Sequence, residues 1–183
     1  MPDTSRIYIP KRVSGMLRGI YTSRVTVVIA PDGCGKSTLV REFTSRTRPA
    51  GISLRTITGA GNTGECFAQI CAIVTGQEFA EPLSEREFMA VSQEFAAARP
   101  KKPLLIIVDC DCAACTALGN YRTAKLLRDC RCARFVFVSS AMKPAYRGLA
   151  HEMGFTLIER DSLSMNISEV MEYAGRCGIS FNA

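Results

Sequence analysis

The chain has 183 residues, of which 47% are hydrophobic, and a formal net charge of +6. That length suits a single α/β domain with a real core, and that apolar share excludes a disordered chain. No apolar run approaches the ~20 residues of a membrane helix, and the basic residues are scattered without interleaved aromatics, which argues against a nucleic-acid surface.

In chain order, Ile7 to Pro10 reads as extended and Lys11 to Ile20 as a short helix with Val13, Leu17 and Ile20 on one face. Val25 to Ala30 is an apolar β-branched strand. A glycine-rich turn follows, then a helix from Lys36 to Arg46. Pro49-Ala-Gly51 is a break, and Ile52 to Thr58 alternates like a half-buried strand. Gly59 to Gly64 is predicted to be a flexible loop leading into a helix from Glu65 to Thr75. Ser84-Glu-Arg-Glu87 is a capping box for a helix that places Phe88, Val91 and Phe95 together and stops before Pro100. Pro103 to Asp109 is a continuous apolar run, as in a strand buried on both faces. A helix over Thr116 to Asp129, a strand within Arg134 to Ser140, a short helix over Pro144 to Met153 and a strand over Phe155 to Ile158 come next. Asn166-x-x-Glu169 caps a last helix that runs to about Ala174 and is ended by Gly175.

Five strands alternating with helices predict a three-layer, doubly wound α/β fold with a mostly parallel sheet and helices on both faces. Ligands in such sheets bind beyond the carboxyl ends of the strands, where the turn after Ala30, Asp109 and Ser139/Ser140 all fall. The expected organisation is one domain over 1–183: an arm and short helix to residue 23, a core over 24–160, and a C-terminal helix from 161 read as the start of a lid.

The stretch Ala30-Pro-Asp-Gly-Cys-Gly-Lys-Ser-Thr38, set between strand and helix, has the pattern of a phosphate-binding loop (Walker A). Gly33 and Gly35 let the backbone turn tightly and bring N–H groups against phosphate oxygens. The helix N-terminus adds its positive dipole end. Lys36 can reach the β- and γ-phosphates, and the Ser37 hydroxyl is placed to ligate Mg²⁺. The first position is Ala30 where the pattern has glycine, a small residue that still fits. Ala30, Asp32, Gly33, Cys34, Gly35, Lys36, Ser37 and Thr38 are the predicted nucleotide contacts. The plainer alternative is a strand–turn–helix with a solvated lysine.

Leu105-Ile-Ile-Val-Asp109 has the pattern of a Walker B strand, with Asp109 expected to hold Mg²⁺ through water opposite Ser37. The nearest carboxylate to orient a water is Asp111, two residues further on. Lys143 is the first cation after the Phe135–Val138 strand. The chain has nine cysteines, expected to be reduced in the cytoplasm, the default location for a polar N-terminus over Met1 to Arg6. Cys110, Cys112 and Cys115 have metal-ligand spacing, as do Cys130 and Cys132. A helix of about a dozen residues, ~18 Å long, separates the two groups, so a joint four-cysteine zinc site is not expected.

Together with Pro10-Lys-Arg12 and the Asp161 to Glu169 segment, these residues resemble the nucleotide-binding domain of STAND ATPases (signal-transduction ATPases with numerous domains), an AAA-like group. The nearest likeness is to maltose-regulator-like activators of the LuxR family. The resemblance covers nearly the whole chain and implies a P-loop NTPase fold of strand order 5-1-4-3-2 that binds ATP or ADP with Mg²⁺ as a switch. It also implies C-terminal helical, repeat and DNA-binding regions, or a separate partner protein, and self-association that depends on nucleotide. It implies that Arg12 lies by the adenine. Cys110 stands where the family has a second acid, and Ala141 where it has an arginine, so the implied hydrolysis is slow or impaired. A small P-loop kinase or phosphotransferase is the alternative; it needs an arginine-bearing lid, and Pro144 to Arg147 offers one arginine but no arginine-rich lid.

Overall fold

The computed structural model describes residues 7–80, 84–110 and 116–179. Its elements run α1 (Lys11–Leu17), a 3-10 turn (Arg18–Tyr21), β1 (Val25–Ile29), α2 (Lys36–Thr47), β2 (Ser53–Thr58), α3 (Thr63–Thr75), α4 (Glu85–Ala97) and β3 (Leu104–Asp109). Then come α5 (Tyr121–Asp129), β4 (Ala133–Ser139), α6 (Pro144–Glu152), β5 (Thr156–Glu159), α7 (Arg160–Leu163) and α8 (Ile167–Arg176). Residues 116–118 are also helical.

The five strands form one sheet in the order β2-β3-β4-β1-β5. Every pairing in it is parallel. This is the predicted order, read from the other edge. Alternation of side chains sends neighbouring residues of each strand to opposite faces. Val27, Ile106, Val108, Phe135 and Phe137 pack with Phe67, Ile70, Val91 and Phe95 of α3 and α4. Val28, Leu105, Ile107, Val136 and Val138 pack with Val13, Leu17, Val40 and Phe43 of α1 and α2. Apolar burial on both faces explains why β3 reads as a continuous apolar run and why β1 and β4 are largely apolar, each large side chain contributing about 1.5–3 kcal/mol. The edge strand β2 buries only Ile57 fully, on the face opposite Ile52 and Leu54, which are partly buried.

Some boundaries differ from the sequence reading for local reasons. The capping boxes Ser84/Glu87 and Asn166/Glu169 are both formed. The helix predicted over Thr116 to Asp129 is interrupted, because Asn120 takes an extended conformation and its side chain accepts from Arg122 N to start a new helix. α3 starts two residues early because the Asn62 side chain accepts from Glu65 N. The loop before it, expected to be flexible, is tied down: Glu65 Oε2 accepts from Gly61 N at 2.8 Å. α8 continues through Gly175 to Arg176, and the left-handed residue that follows it is Gly178, at φ 74°. Among the described residues no helix is long and apolar enough to cross a membrane.

Candidate functional site

β1 ends in the sheet centre, between β4 and β5, and delivers the chain to the glycine-rich turn. Ala30 is buried and its N–H donates to Ser139 O at 3.3 Å, so the position that departs from the loop pattern sits against the backbone of β4. Gly33 and Gly35 lie at φ 79° and 70°, conformations that side chains oppose. Gly35 is the N-cap of α2 and no side chain caps this terminus. The first N–H groups of α2 therefore open on the turn without intrahelical acceptors.

Two ion pairs frame the space beyond the turn. The Lys36 ammonium, its residue only 7% exposed, donates to Asp32 Oδ1 at 2.9 Å. The Asp32 side chain is 74% exposed. The Ser37 hydroxyl donates to Asp109 Oδ1 at 2.8 Å, joining residues 72 apart in sequence. Arg41 Nη2 donates to the other carboxylate oxygen of Asp109, Oδ2, at 2.7 Å. Asp32, Lys36, Ser37 and Asp109 line a cleft of about 390 Å³ with Gly59, Ala60 and Cys110. A larger cavity of about 520 Å³ opens at the amino ends of β3 and β4, between Phe95, Arg99, Pro103 and Cys132. It lies at the opposite end of the sheet from the turn and has none of its chemistry.

Of the sequence-predicted residues, Asp32, Lys36, Ser37 and Asp109 line the same cleft. Gly33, Cys34, Gly35 and Thr38 are exposed on the turn and the first turn of α2. Arg12 is engaged elsewhere: it donates to Ser162 O and Ser164 O at 2.7 and 2.6 Å and pairs with Glu169, tying α1 to the segment beyond β5. The Arg12 guanidinium and the Asn166 backbone N–H hold the Glu169 carboxyl below its usual range. Ser139 is buried and its hydroxyl donates to Ala141 O at 2.9 Å. Lys143 stands over the Tyr146 ring, 5.7 Å from its centroid. Arg147 is ion-paired with Glu159. Asp111, Cys112 and Cys115 lie outside the described residues.

Three contributors escaped the sequence reading, Gly59, Ala60 and Arg41. Gly59 and Ala60 enter because β2 pairs in parallel with β3 in a register that sets Thr58 opposite Asp109, so the residues after both strands meet. Arg41 enters because it follows Ser37 by one helical turn and shares its face, a spacing visible in the sequence. Among the described residues Cys66, Cys71, Cys110 and Cys130 are buried, while Cys34 is exposed on the turn. Cys110 Sγ donates to Ile57 O at 3.6 Å. Cys130 Sγ lies 3.7 Å from Cys132 Sγ. Burial first, and the neighbouring Cys132 second, push the Cys130 thiol up to about 12.

No protein-family profile matches the sequence, and no curated protein matches it. Solved structures do match its fold. A Pyrococcus horikoshii STAND protein with a tetratricopeptide repeat sensor aligns with 92% of this chain and 25% of its own, at 14% identity and a TM-score of 0.51. Drosophila ORC, in a structure bound to AT-rich DNA and Cdc6, aligns with 80% of this chain and 56% of its own, at 11% identity and a TM-score of 0.50. The chain has the P-loop NTPase fold. It spans about half of the ORC chain and a quarter of the STAND chain.

The P-loop NTPase fold implies a magnesium nucleotide, and the donor set fits one. Backbone N–H groups and a buried ammonium suit polyphosphate. A serine hydroxyl and a carboxylate are hard oxygen donors of the kind Mg²⁺ takes, in the small number it needs beside phosphate and water. The open turn agrees: a Cβ built on Gly33 or Gly35 meets nothing within 4 Å.

Proposed function

We propose that this chain binds ATP and ADP with Mg²⁺ at the turn between β1 and α2, as the switch domain of a STAND-type signalling or transcription-regulatory protein. The observation that carries the reading is the Ser37–Asp109 hydrogen bond beside the buried Lys36, which draws the loop and the end of β3 into one cleft. Backbone N–H groups of residues 33–38 and the Lys36 ammonium hold the phosphates. Ser37 and Asp109 hold Mg²⁺, which supplies charge neutralisation at the phosphate oxygens. The stretch 1–23 acts as an arm, 24–160 as the core and 161–183 as the start of a lid. Contacts from Arg12 to α7 and α8 support coupling of arm and lid.

Slow hydrolysis is part of the proposal. Cys110 fills the position beside Asp109 and spends its thiol on Ile57 O, so no second acid stands there to orient water. Ala141 follows β4 where a positive charge would meet a γ-phosphate, and Arg147 is held by Glu159. A maltose-regulator-like member of the LuxR group, acting in the cytoplasm, fits this reading. Helical, repeat and DNA-binding regions, or a separate partner, would then sense the nucleotide state, and self-association would follow it.

Calorimetric titration with Mg-ATP and Mg-ADP tests the site. Wild type is expected to bind both, and Lys36→Ala to lose at least about tenfold in affinity, the value of one charge-assisted contact. Equal affinities for the two proteins would show that the site is misplaced. Phosphate release in the same samples is expected to be slow. Rapid transfer to an added acceptor would replace the switch by a kinase.

A further inference from the structure

Asp109 is partly buried at the edge of the cleft, its side chain 14% exposed, and both of its oxygens are taken. Oδ1 accepts from Ser37 and Oδ2 from Arg41. A carboxylate shielded to this degree is stabilised by a cation close by. Arg41 supplies one from within the chain. Its own side chain is 53% exposed, so the guanidinium can swing into solvent at small cost and be replaced. Lys36 shows the complementary arrangement, with Asp32 occupying its ammonium where an anion would sit. The cleft is thus neutralised from within at both its cationic and its anionic pole.

We infer that Arg41 is a tethered counter-cation that competes with Mg²⁺ for Asp109, so that nucleotide affinity depends only weakly on Mg²⁺. The inference rests on the nucleotide reading above and specifies its metal dependence. With Arg41 in place, Asp109 is already neutralised and repels a polyphosphate little when Mg²⁺ is absent. For Asp109 to hold Mg²⁺, directly or through water, the Arg41 guanidinium would have to loosen its hold on Oδ2, which would weaken the net contribution of the metal. Without Arg41 both effects reverse: the bare carboxylate repels the metal-free nucleotide and attracts Mg²⁺ more strongly. Arg41 is a positioning residue, since it acts through Asp109.

The test is the ratio of ATP dissociation constants measured in EDTA and in saturating Mg²⁺, for wild type, Arg41→Ala and Arg41→Lys. The ratio is expected to be about tenfold larger in Arg41→Ala, the scale of one charge-assisted hydrogen bond, and intermediate in Arg41→Lys, which keeps the charge but not the planar fork. Mn²⁺ titration of the nucleotide-free protein, followed by electron paramagnetic resonance, is expected to show tighter binding in Arg41→Ala. A ratio within twofold of wild type, or a smaller one, overturns the inference while leaving nucleotide binding intact. Failure of the wild type to bind nucleotide in either buffer overturns the functional reading itself, and this inference with it. Thermal unfolding in EDTA checks the fold, and Arg41→Lys gives the same comparison if the alanine variant does not fold.

Discussion

Gly35→Ala separates the folding role of the turn from its proposed binding role. Gly35 sits at φ 70°, and a Cβ built there meets no heavy atom within 4 Å. The cost to the free protein is therefore torsional, about 1–2 kcal/mol, partly offset by about 0.4–1 kcal/mol from the stiffer unfolded chain. A net loss of about 1 kcal/mol lowers Tm by about 2–4 °C in a chain of this size. Binding should suffer far more, because the methyl group holds a phosphate oxygen off the backbone N–H groups. Losing one or two hydrogen bonds to a charged oxygen, at about 1.5–3 kcal/mol each, weakens Mg-ATP by at least about tenfold, and by about a hundredfold or more if both are lost. Denaturant unfolding without ligand and calorimetric titration of the same preparation measure the two effects. Gly51→Ala is the control, since Gly51 also has open space but no positive φ. Affinity reduced less than tenfold would refute the cradle, and destabilisation beyond about 3 kcal/mol would refute the open space above the turn.

Asp32→Asn removes the internal anion from Lys36; because the Asp32 side chain is 74% exposed, the pair is worth no more than about 1 kcal/mol, and affinity for Mg-ATP should rise up to about fivefold. Glu169 is held below the usual carboxylate range, chiefly by Arg12. Its contribution to stability is therefore present above about pH 4.3 and is lost as pH falls through its lowered value, so Glu169→Gln should flatten the acid limb of a Tm-against-pH curve. An acid limb of unchanged slope would place the loss in other carboxylates. Cys130 has its thiol pushed up to about 12, so above about pH 8.5 the unfolded chain loses this proton while the folded one keeps it. Stability should decline between those values, and less steeply in Cys130→Ala; equal alkaline slopes would contradict this assignment.

The strands and the loop were legible because their signals are local. An apolar run marks a strand covered on both faces, and the glycines and lysine of the turn follow it at once. The capping boxes at Ser84 and Asn166 were equally plain, since donor and acceptor lie three residues apart. The ends of helices were less so. Asn120 could sit inside a helix or cap one, and Gly175 could end α8 or pass through it; neighbours distant in sequence settle such choices. Arg12, placed by resemblance near the adenine, is held by Glu169 and by the carbonyls of Ser162 and Ser164, all about 150 residues away.

From the sequence alone came the kinds of group available: a glycine turn, an ammonium, a hydroxyl and a carboxylate at the end of an apolar strand. Their types and short-range spacing follow directly from the order of residues. Tertiary structure decided their partners. Parallel pairing brought the end of β2 beside Asp109, and the packing of α2 on the sheet brought Ser37 and Arg41 to the same carboxylate. Hydrogen bonds and ion pairs act over about 3 Å, whereas Ser37 and Arg41 stand 72 and 68 positions from Asp109 along the chain, so only the folded sheet can select them.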